Sequence, residues 1–376
     1  MTALNACLSR SVAAALSLLV CGAASAQIRI GQTTALTGPA AAAVSEINAG
    51  AKLFLNAVNA DGGINGQPIE LVSLDDNNKA PAAAANAEKL IADQRVVALF
   101  LSRGTPQTQA ILPHLAAGHV PLIAPSTGAM ALHSPVNPWV FNVRASYQRE
   151  AEAVVRHLGL SGLDKVALLY VNDSFGEDAI QGAMKVYKQA SQKPAMLQAV
   201  DREKPDYASL VPKLVELKPL GILIVGSPTS VTAGIKAIRA AGLTAAVATL
   251  SNNAAGGFVA GLGNDAGSVI VSQVFPSERR LAVRMIAEAS RLAVAQKVNL
   301  TPAMIEGFAA AKVLVAGLRR AEKEGKVVTR QSLKRGLESL DRFDLGGLEI
   351  SYSPTDHSGL DFADLSIIGR DGTFRR

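Results

Sequence analysis

An alternation of strand-like and helix-like segments, run through twice, is the feature that most constrains this chain. The first series places strand-like runs at 28–33, 68–74, 95–101 and 120–125, with helical patterns at 49–60, 80–93 and 106–118 between them. The run RVVALFL is continuously apolar, which is typical of a parallel strand buried on both faces. A second series begins with KVALLYV at 165–171. Repeated β-α units predict parallel sheets with right-handed crossovers.

The segment NPWVFNVRASYQRE at 137–150 separates the two series. Two long helical patterns follow the second series, at about 279–297 and 302–323, and a β-rich segment covers 346–374. A chain of 376 residues is long enough for two hydrophobic cores. The sequence therefore predicts an α/β protein with two doubly wound lobes and parallel sheets.

The first 26 residues are typical of a cleaved secretory signal peptide. Arg10 is followed by the apolar run VAAALSLLVCGA and then by ASAQ, which predicts cleavage after Ala26. The apolar run is short for a membrane span. An uncleaved anchor is one alternative, and a lipoprotein acylated at Cys21 is another, although Val20 is large for that processing site. Cleavage predicts a periplasmic protein.

Composition excludes several kinds of site from the mature chain. Cys7 and Cys21 are the only cysteines and both lie in the signal, which excludes disulfides, a thiol nucleophile and cysteine metal ligands. The net charge of +6 becomes +5 without Arg10. Basic residues are scattered and only 4% of residues are aromatic, which argues against nucleic-acid binding. The positive charge slightly favours anionic small ligands.

Two hydroxyl-rich turns, LSRGTP at 101–106 and APSTGAM at 124–130, follow neighbouring strands of the first series. Ligands of open parallel sheets bind beyond the carboxyl ends of the strands. We expect Thr105 to cap the next helix, whose free N–H groups would favour an anion. The turns predict a carboxylate site, although such hydroxyls also serve as plain helix caps.

The second series has turns at equivalent places, VNDSFGEDA, VGSPTS and LSNNAAGG. We expect Asp173 or Ser174 to cap a helix and Phe175 to cover a ligand. Single Asn and Ser residues in such turns are also ordinary caps, so each of these assignments has a structural alternative.

Catalytic and metal-binding motifs are lacking. The sequence contains no G-x-S-x-G, H-E-x-x-H, G-x-G-x-x-G or phosphate-binding G-x-x-x-x-G-K-[ST]. Metal-ligand spacing is also missing among the five histidines, His114, His119, His133, His157 and His357. Asp75 and Asp76 follow a strand, where carboxylates brace turns. We therefore expect no enzyme activity, no cofactor and no metal.

Several phrases occur in a characteristic order along the mature chain, namely LTGPAA, NAVNADGGINGQPIELVSLDDNN, VPLIAPSTGA, VALLYVNDSFGED and AIRAAGL. Together they resemble the periplasmic substrate-binding proteins of ABC transporters, in particular the branched-chain amino-acid (Leu/Ile/Val-binding) group. The resemblance implies the type I periplasmic binding protein fold, whose two lobes are joined by a three-crossing hinge and trap a small ligand. It also implies a monomer that delivers this ligand to ABC permease subunits in the inner membrane.

The lobe boundaries expected from this resemblance are discontinuous. Residues 1–26 form the signal peptide, 27–146 with about 276–352 form the N-terminal lobe, and 147–275 with about 353–376 form the C-terminal lobe.

The resemblance also implies the site residues, because the family holds the α-carboxylate and ammonium of its ligand at positions that match LSRGTP and APSTG. The predicted ligand-binding residues are Ser102, Gly104, Thr105, Ser126, Thr127, Gly128, Tyr147, Phe175, Ser227, Ser251 and Asn252. Arg103 is a further candidate anion contact, and the sequence leaves open whether it faces the cleft or solvent.

Departures from the family pattern bear on the ligand. Aromatic residues of many amino-acid binders are replaced here by Ala43 and by Ser227–Pro228. The acidic residue that pairs with a ligand ammonium falls on Ser251. A buried ammonium without a carboxylate partner is costly. The ligand is therefore either a hydrophobic amino acid or a carboxylate without an ammonium, such as an aliphatic or aromatic acid.

Two other classes of function stay open at this point. The same fold serves ligand-sensing receptor modules, which would here need a separate output partner. A hydrolase on such a scaffold would need a nucleophile and a base, and no convincing pair is present. The signal peptide and the lack of catalytic motifs favour solute binding.

Overall fold

The computed structural model describes residues 27–325 and 327–376, so the predicted signal peptide, with Cys7 and Cys21, lies outside the described residues. The first lobe begins with β1 (Ile28–Thr34), α1 (Ala41–Ala60), β2 (Ile69–Asp75), α2 (Ala80–Ala92), β3 (Ala98–Phe100), α3 (Thr105–Gly118), β4 (Leu122–Ile123) and β5 (Val140–Phe141). Its sheet has the order β2-β1-β3-β4-β5, and every neighbouring pair is parallel. The predicted first α/β series is thereby confirmed.

A second sheet of seven strands forms the other lobe. Its elements are α4 (Tyr147–Leu160), β6 (Val166–Val171), α5 (Ser174–Gln189), β7 (Met196–Val200), α6 (Tyr207–Leu217), β8 (Gly221–Val225), α7 (Pro228–Ala240), β9 (Ala246–Thr249), α8 (Gly256–Leu262) and β10 (Ile270–Gln273). After these come α9 (Arg284–Ala295), α10 (Pro302–Glu324), α11 (Arg330–Glu338), β11 (Phe343–Asp344), β12 (Glu349–Ile350), β13 (Asp364–Ile368) and β14 (Phe374–Arg375). The strand order is β14-β13-β10-β9-β8-β6-β7, parallel except at β13 and β14.

The chain passes between the two lobes three times, after β5, after β10 and after β12. Helices α9, α10 and α11 return to the first lobe, where Met285, Phe308 and Leu333 share one buried cluster with Ile30 and Phe141. The two-lobed, three-crossing fold is confirmed. The helical pattern at 279–297 begins only at Arg284, and α11 was not predicted. The residue numbers at which the lobes divide stay a prediction.

Helices α1 and α10 pack backbone against backbone. A Cβ atom on Gly307 would lie 1.8 Å from the carbonyl oxygen of Ile47, and one on Gly50 would lie 1.9 Å from that of Met304. Only glycine allows helix backbones to approach this closely. These two glycines therefore join an early helix of the chain to one formed some 250 residues later.

A buried ion pair occupies the first crossing. A terminal nitrogen of Arg144 bonds the carboxylate of Glu150 and also donates to Ser251 Oγ at 2.8 Å. The other carboxylate oxygen of Glu150 accepts from the Ser251 backbone N–H at 2.9 Å and from the Ser272 hydroxyl. Burial alone would lower the pKa of Arg144, but Glu150 and neighbouring groups raise it above its ordinary value. The pair ties α4 to two segments of the second lobe.

Two adjacent carboxylates brace the turn between β2 and α2, as the sequence predicts. Asp75 Oδ1 accepts from the backbone N–H groups of Leu36 and Asn77, both at 2.9 Å, and the exposed side chain also bonds Thr37. Asp76 is fully buried and accepts from the backbone N–H of Asn78 at 2.9 Å. Burial raises the pKa of Asp76 to about 6, whereas hydrogen bonds, foremost that from Thr37, lower the pKa of Asp75.

We predict that Gly307→Ala destabilises the protein by roughly 3 kcal/mol, because its methyl group would collide with backbone that cannot move aside. Denaturant unfolding measures the loss. Gly159→Ala is the matched control, since Gly159 is an exposed residue of α4 with open space around its Cβ position. Gly159→Ala should increase the free energy of unfolding by about 0.5–1 kcal/mol. Equal effects at the two positions would contradict the backbone contact.

A second prediction concerns pH. Folded Asp76 binds its proton more tightly than the unfolded chain does, so its ionisation costs stability as pH rises from about 4 to 6. The cost is absent below pH 3.8 and reaches about 3 kcal/mol above pH 6. Wild type should therefore lose up to that amount relative to Asp76→Asn between pH 4 and 7, measured by unfolding.

The neighbouring carboxylate provides the control of opposite sign. The pKa of Asp75 is lower in the folded protein than in the unfolded chain, so its ionised form stabilises the fold at any pH above the unfolded pKa. This stabilisation is lost as the pH falls through the folded pKa. Wild type should therefore lose stability relative to Asp75→Asn on acidification. The same pH dependence in both variants would show that burial of Asp76 does not set its titration.

Candidate functional site

A cavity of about 260 Å³ lies between the two lobes. Its lining comes from the turns after β1, β2, β3 and β4 of the first lobe and after β6, β7, β8 and β9 of the second, together with the first residue of α4. The carboxyl ends of both parallel sheets thus face one space. This is the place where open α/β sheets bind ligands.

The structure brings together eight of the twelve residues that the sequence singled out. The residues that line the cavity are Arg103, Gly104, Thr105, Ser126, Tyr147, Phe175, Ser227 and Asn252. The other four, Ser102, Thr127, Gly128 and Ser251, lie outside its lining and have structural contacts of their own.

Two of these four are hydroxyls that bond to other hydroxyls of the first lobe. Ser102 Oγ lies 3.0 Å from Thr108 Oγ1, and Thr127 Oγ1 lies 2.8 Å from Thr105 Oγ1. All of these oxygens are buried. Ser102 and Thr127 therefore position the turns on which the lining residues lie.

The remaining two, Gly128 and Ser251, contact residues at the first crossing. The carbonyl of Gly128 accepts from the Tyr147 N–H at 2.7 Å, and a Cβ on Gly128 would lie 2.6 Å from that nitrogen. Ser251 bonds Arg144 and Glu150 as described above. Gly128 and Ser251 thus fix the position of Tyr147 and of the turn after β9.

Helix α3 begins differently from the sequence expectation. Thr105 was expected to cap the helix, which is wrong because Gly104 precedes it as the capping residue, with φ at +91°. The Gly104 conformation is one that residues with a side chain rarely adopt. Thr105 is the first helical residue, and its hydroxyl is used by Thr127. In the second lobe Asp173 caps α5, as expected, and accepts from the N–H groups of Phe175 and Gly176.

Arg103 faces the cavity rather than solvent and is only 8% exposed. One terminal nitrogen donates to Ser126 Oγ at 3.3 Å, and the other donates across the cleft to the Asn252 carbonyl at 2.9 Å. Within residues 27–325 and 327–376, no carboxylate lies within ion-pairing distance of this guanidinium. Arg103 is therefore a buried cation held by neutral partners.

An aromatic wall, formed by Tyr147 and Phe175, lies beside Arg103. The ring centroids are 4.6 Å apart and the planes are inclined by 63°. Arg144 Cζ lies 4.6 Å from the Tyr147 centroid, behind the wall. Tyr147 is 3% exposed, and in the described part of the chain its hydroxyl has no hydrogen-bond partner. Burial raises the pKa of this hydroxyl, against the effect of Arg144 and Arg103, so it stays a neutral donor.

Sequence reasoning missed several lining residues, namely Lys79, Asn77, Asn78, Gln107, Arg202 and Glu203. Lys79 follows β2 and Arg202 follows β7, so both occupy strand ends of the kind that identified the other turns. The charged lining is thus three cations and the single acid Glu203. Among the described residues, no cluster of three His, Cys, Asp or Glu side chains could hold a metal ion.

Comparison with known proteins agrees with this architecture. Residues 27–361 match the family model for periplasmic binding proteins. A curated relative from Brucella melitensis, Leu/Ile/Val-binding protein homolog 7, is 26% identical over 228 residues, covering 57% of this chain and 55% of the relative. The chain therefore matches about half of that relative's length. None of the described helices is long and apolar enough to cross a membrane.

Solved structures share the fold across nearly the whole chain. A substrate-binding periplasmic protein from Ralstonia solanacearum is 27% identical, with a TM-score of 0.83 over 93% of this chain and 99% of that one. A branched-chain amino-acid ABC transporter protein from Thermus thermophilus, with bound valine, is 18% identical, with a TM-score of 0.81 over 93% and 95%. Two α/β lobes, a three-crossing hinge and a family match over most of the chain lead to one conclusion: this protein belongs to the periplasmic binding protein family, whose members bind solutes and are not enzymes.

Proposed function

We propose that this protein is the periplasmic solute-binding component of an ABC importer. It captures a small carboxylate-bearing molecule between its lobes and delivers it to permease subunits in the inner membrane. Family membership supports the transport role, as do the Leu/Ile/Val-binding name of the Brucella relative and the valine bound to the Thermus protein. The sensing alternative would need an output partner, and no observation favours it.

The observation that carries the carboxylate assignment is Arg103. A buried guanidinium without a carboxylate partner is unfavourable, and an anionic ligand removes that cost. A guanidinium also matches a carboxylate with two parallel hydrogen bonds. The Ser126 hydroxyl and the free Tyr147 hydroxyl, which line the same cavity, would donate to the remaining oxygen lone pairs.

Contacts across the cleft support capture by closure. Besides Arg103 and Asn252, Glu46 Oε1 of α1 accepts from the Gly256 N–H at 2.8 Å. Asp178 of α5, whose pKa is raised by burial, accepts from the Met130 N–H at 3.2 Å. These bonds join the two lobes at points outside the cavity lining, which supports a hinge that closes the lobes over a ligand.

A hydrophobic amino acid is the second candidate, because Glu203 lines the cavity and could pair with a ligand ammonium. Glu203 is exposed, however, and Ser251, at the family's acidic position, is bonded to Arg144. Arg103 and Lys79 line the same cavity without an ion pair among the described residues, and both would repel an ammonium. We therefore favour a carboxylate without an amino group.

The first test compares leucine, isoleucine and valine with the same three carbon skeletons lacking the amino group. A ligand that binds only the folded protein raises its Tm. We expect a rise in Tm with the carboxylates and not with the amino acids. A rise in Tm with the amino acids alone would instead show that the ammonium group of the ligand has a partner in the site, for which Glu203 is the candidate. No rise with either set, from a folded protein, would contradict the carboxylate site.

The second test removes the buried cation. Arg103→Gln should weaken binding of the active carboxylate roughly 30-fold or more, since it deletes a desolvated charge that the ligand would neutralise. Isothermal calorimetry measures the change. Arg319→Gln, at an exposed position of α10, is the control and should bind as wild type does. Unchanged affinity in Arg103→Gln would place the anion elsewhere.

A further inference from the structure

Two guanidinium groups, those of Arg103 and Arg202, line the cavity together with the aromatic wall. Arg103 lines the cavity together with Tyr147, and its charge acts to lower the pKa of the Tyr147 hydroxyl against the larger effect of burial, so the two groups lie close together. Arg202 Cζ lies 5.8 Å from the Phe175 centroid, and Arg202 lines the cavity as well. Each ring of the wall therefore has one guanidinium of the cavity lining close to it. One carboxylate on Arg103 would leave Arg202 without an anionic partner inside the cavity.

The Arg202 side chain is held in place by one of its nitrogens. Its Nε bonds the carboxylate of Asp173, which also caps α5 through the N–H groups of Phe175 and Gly176. Its terminal nitrogens have no hydrogen-bond partner among the described residues. Arg202 thus has a fixed orientation and free donors, which is the preorganisation that anion recognition needs.

Lys79 approaches the same cavity from the first lobe. It follows β2 directly before α2, is exposed, and forms no ion pair within the described part of the chain. Glu203 is the only acid of the lining and is also exposed, so it is free to turn to solvent. The cations of the lining outnumber its acids by three to one.

We propose that the ligand is a dicarboxylate. One carboxylate binds Arg103, the body lies against Tyr147 and Phe175, and the second carboxylate binds Arg202 and Lys79. This inference rests on the proposed solute-binding function and names its ligand class. Because Lys79 belongs to the first lobe and Arg202 to the second, the second carboxylate also links the lobes when the hinge closes.

Matched pairs of acids test the proposal, since the members of each pair differ in the second carboxylate. Adipate is compared with hexanoate, and terephthalate with 4-methylbenzoate, by isothermal calorimetry on the purified protein. Shorter and longer aliphatic diacids, from succinate to azelate, cover the length that the cavity accepts. We expect at least one diacid to bind about tenfold or more tightly than its monoacid.

Variants assign the second anion subsite. Lys79→Gln and Arg202→Gln should each reduce the diacid-to-monoacid affinity ratio by about fivefold or more, and added salt should reduce it in wild type. Lys204→Gln is the matched control, because Lys204 is an exposed cation of the same loop that does not line the cavity. It should leave the ratio unchanged. Lys79→Gln keeps the test valid if loss of the Asp173 contact unfolds Arg202→Gln.

The possible results separate the two proposals. Equal affinity for diacid and monoacid would overturn the dicarboxylate while preserving the carboxylate-binding function. If Lys79→Gln and Arg202→Gln both keep the wild-type preference for diacid over monoacid, the second carboxylate does not bind at the assigned subsite. Leucine binding that Glu203→Gln abolishes would assign an amino acid and overturn the dicarboxylate. No binding of any acid to the folded protein would overturn both proposals.

Discussion

The ion pair between Arg144 and Glu150 is the interaction on which the geometry of the site depends. Arg144 lies in the first crossing and is 2% exposed, and Glu150 in α4 is fully buried. Such a pair adds little net stability, but a misplaced partner leaves an uncompensated buried charge. The pair therefore penalises any other register of the crossing. Tyr147 lies between the two residues in sequence and has the Arg144 guanidinium against its ring.

The same pair gives Ser251 a structural role. Ser251 donates its backbone N–H to Glu150 and accepts from Arg144, so the turn after β9 is anchored from behind the cavity. The neighbouring Asn252 then offers its carbonyl to Arg103 across the cleft. The Glu150 carboxylate thus holds Ser251, and the adjacent Asn252 supplies the carbonyl through which Arg103 joins the lobes.

The fold could be predicted from the sequence because alternating apolar runs and helical patterns are local signals of long elements. The turns of the site could also be located, since parallel strands place their carboxyl ends at one edge. The use of each hydroxyl could not be predicted. The Ser102 hydroxyl can face either the cavity or Thr108, and its direction depends on the residue at which α3 begins. Gly104 moves that beginning by one residue from the predicted position, and Ser102 bonds Thr108. Lys79 and Arg202 were missed because charged loop residues are usually solvated, and only the assembled cavity distinguishes them.

The three crossings have a consequence for how the protein forms. Helix α10 is part of the first lobe, where its Gly307 packs on Ile47. Strand β13 is part of the second sheet, where it pairs with β10. Neither lobe has its full set of elements until residues beyond 300 have been made. Long-range contacts of this kind are slow to form, because the intervening chain must first be ordered. A partly synthesised chain therefore has no complete lobe and leaves apolar surface uncovered until nearly all of the sequence has been made.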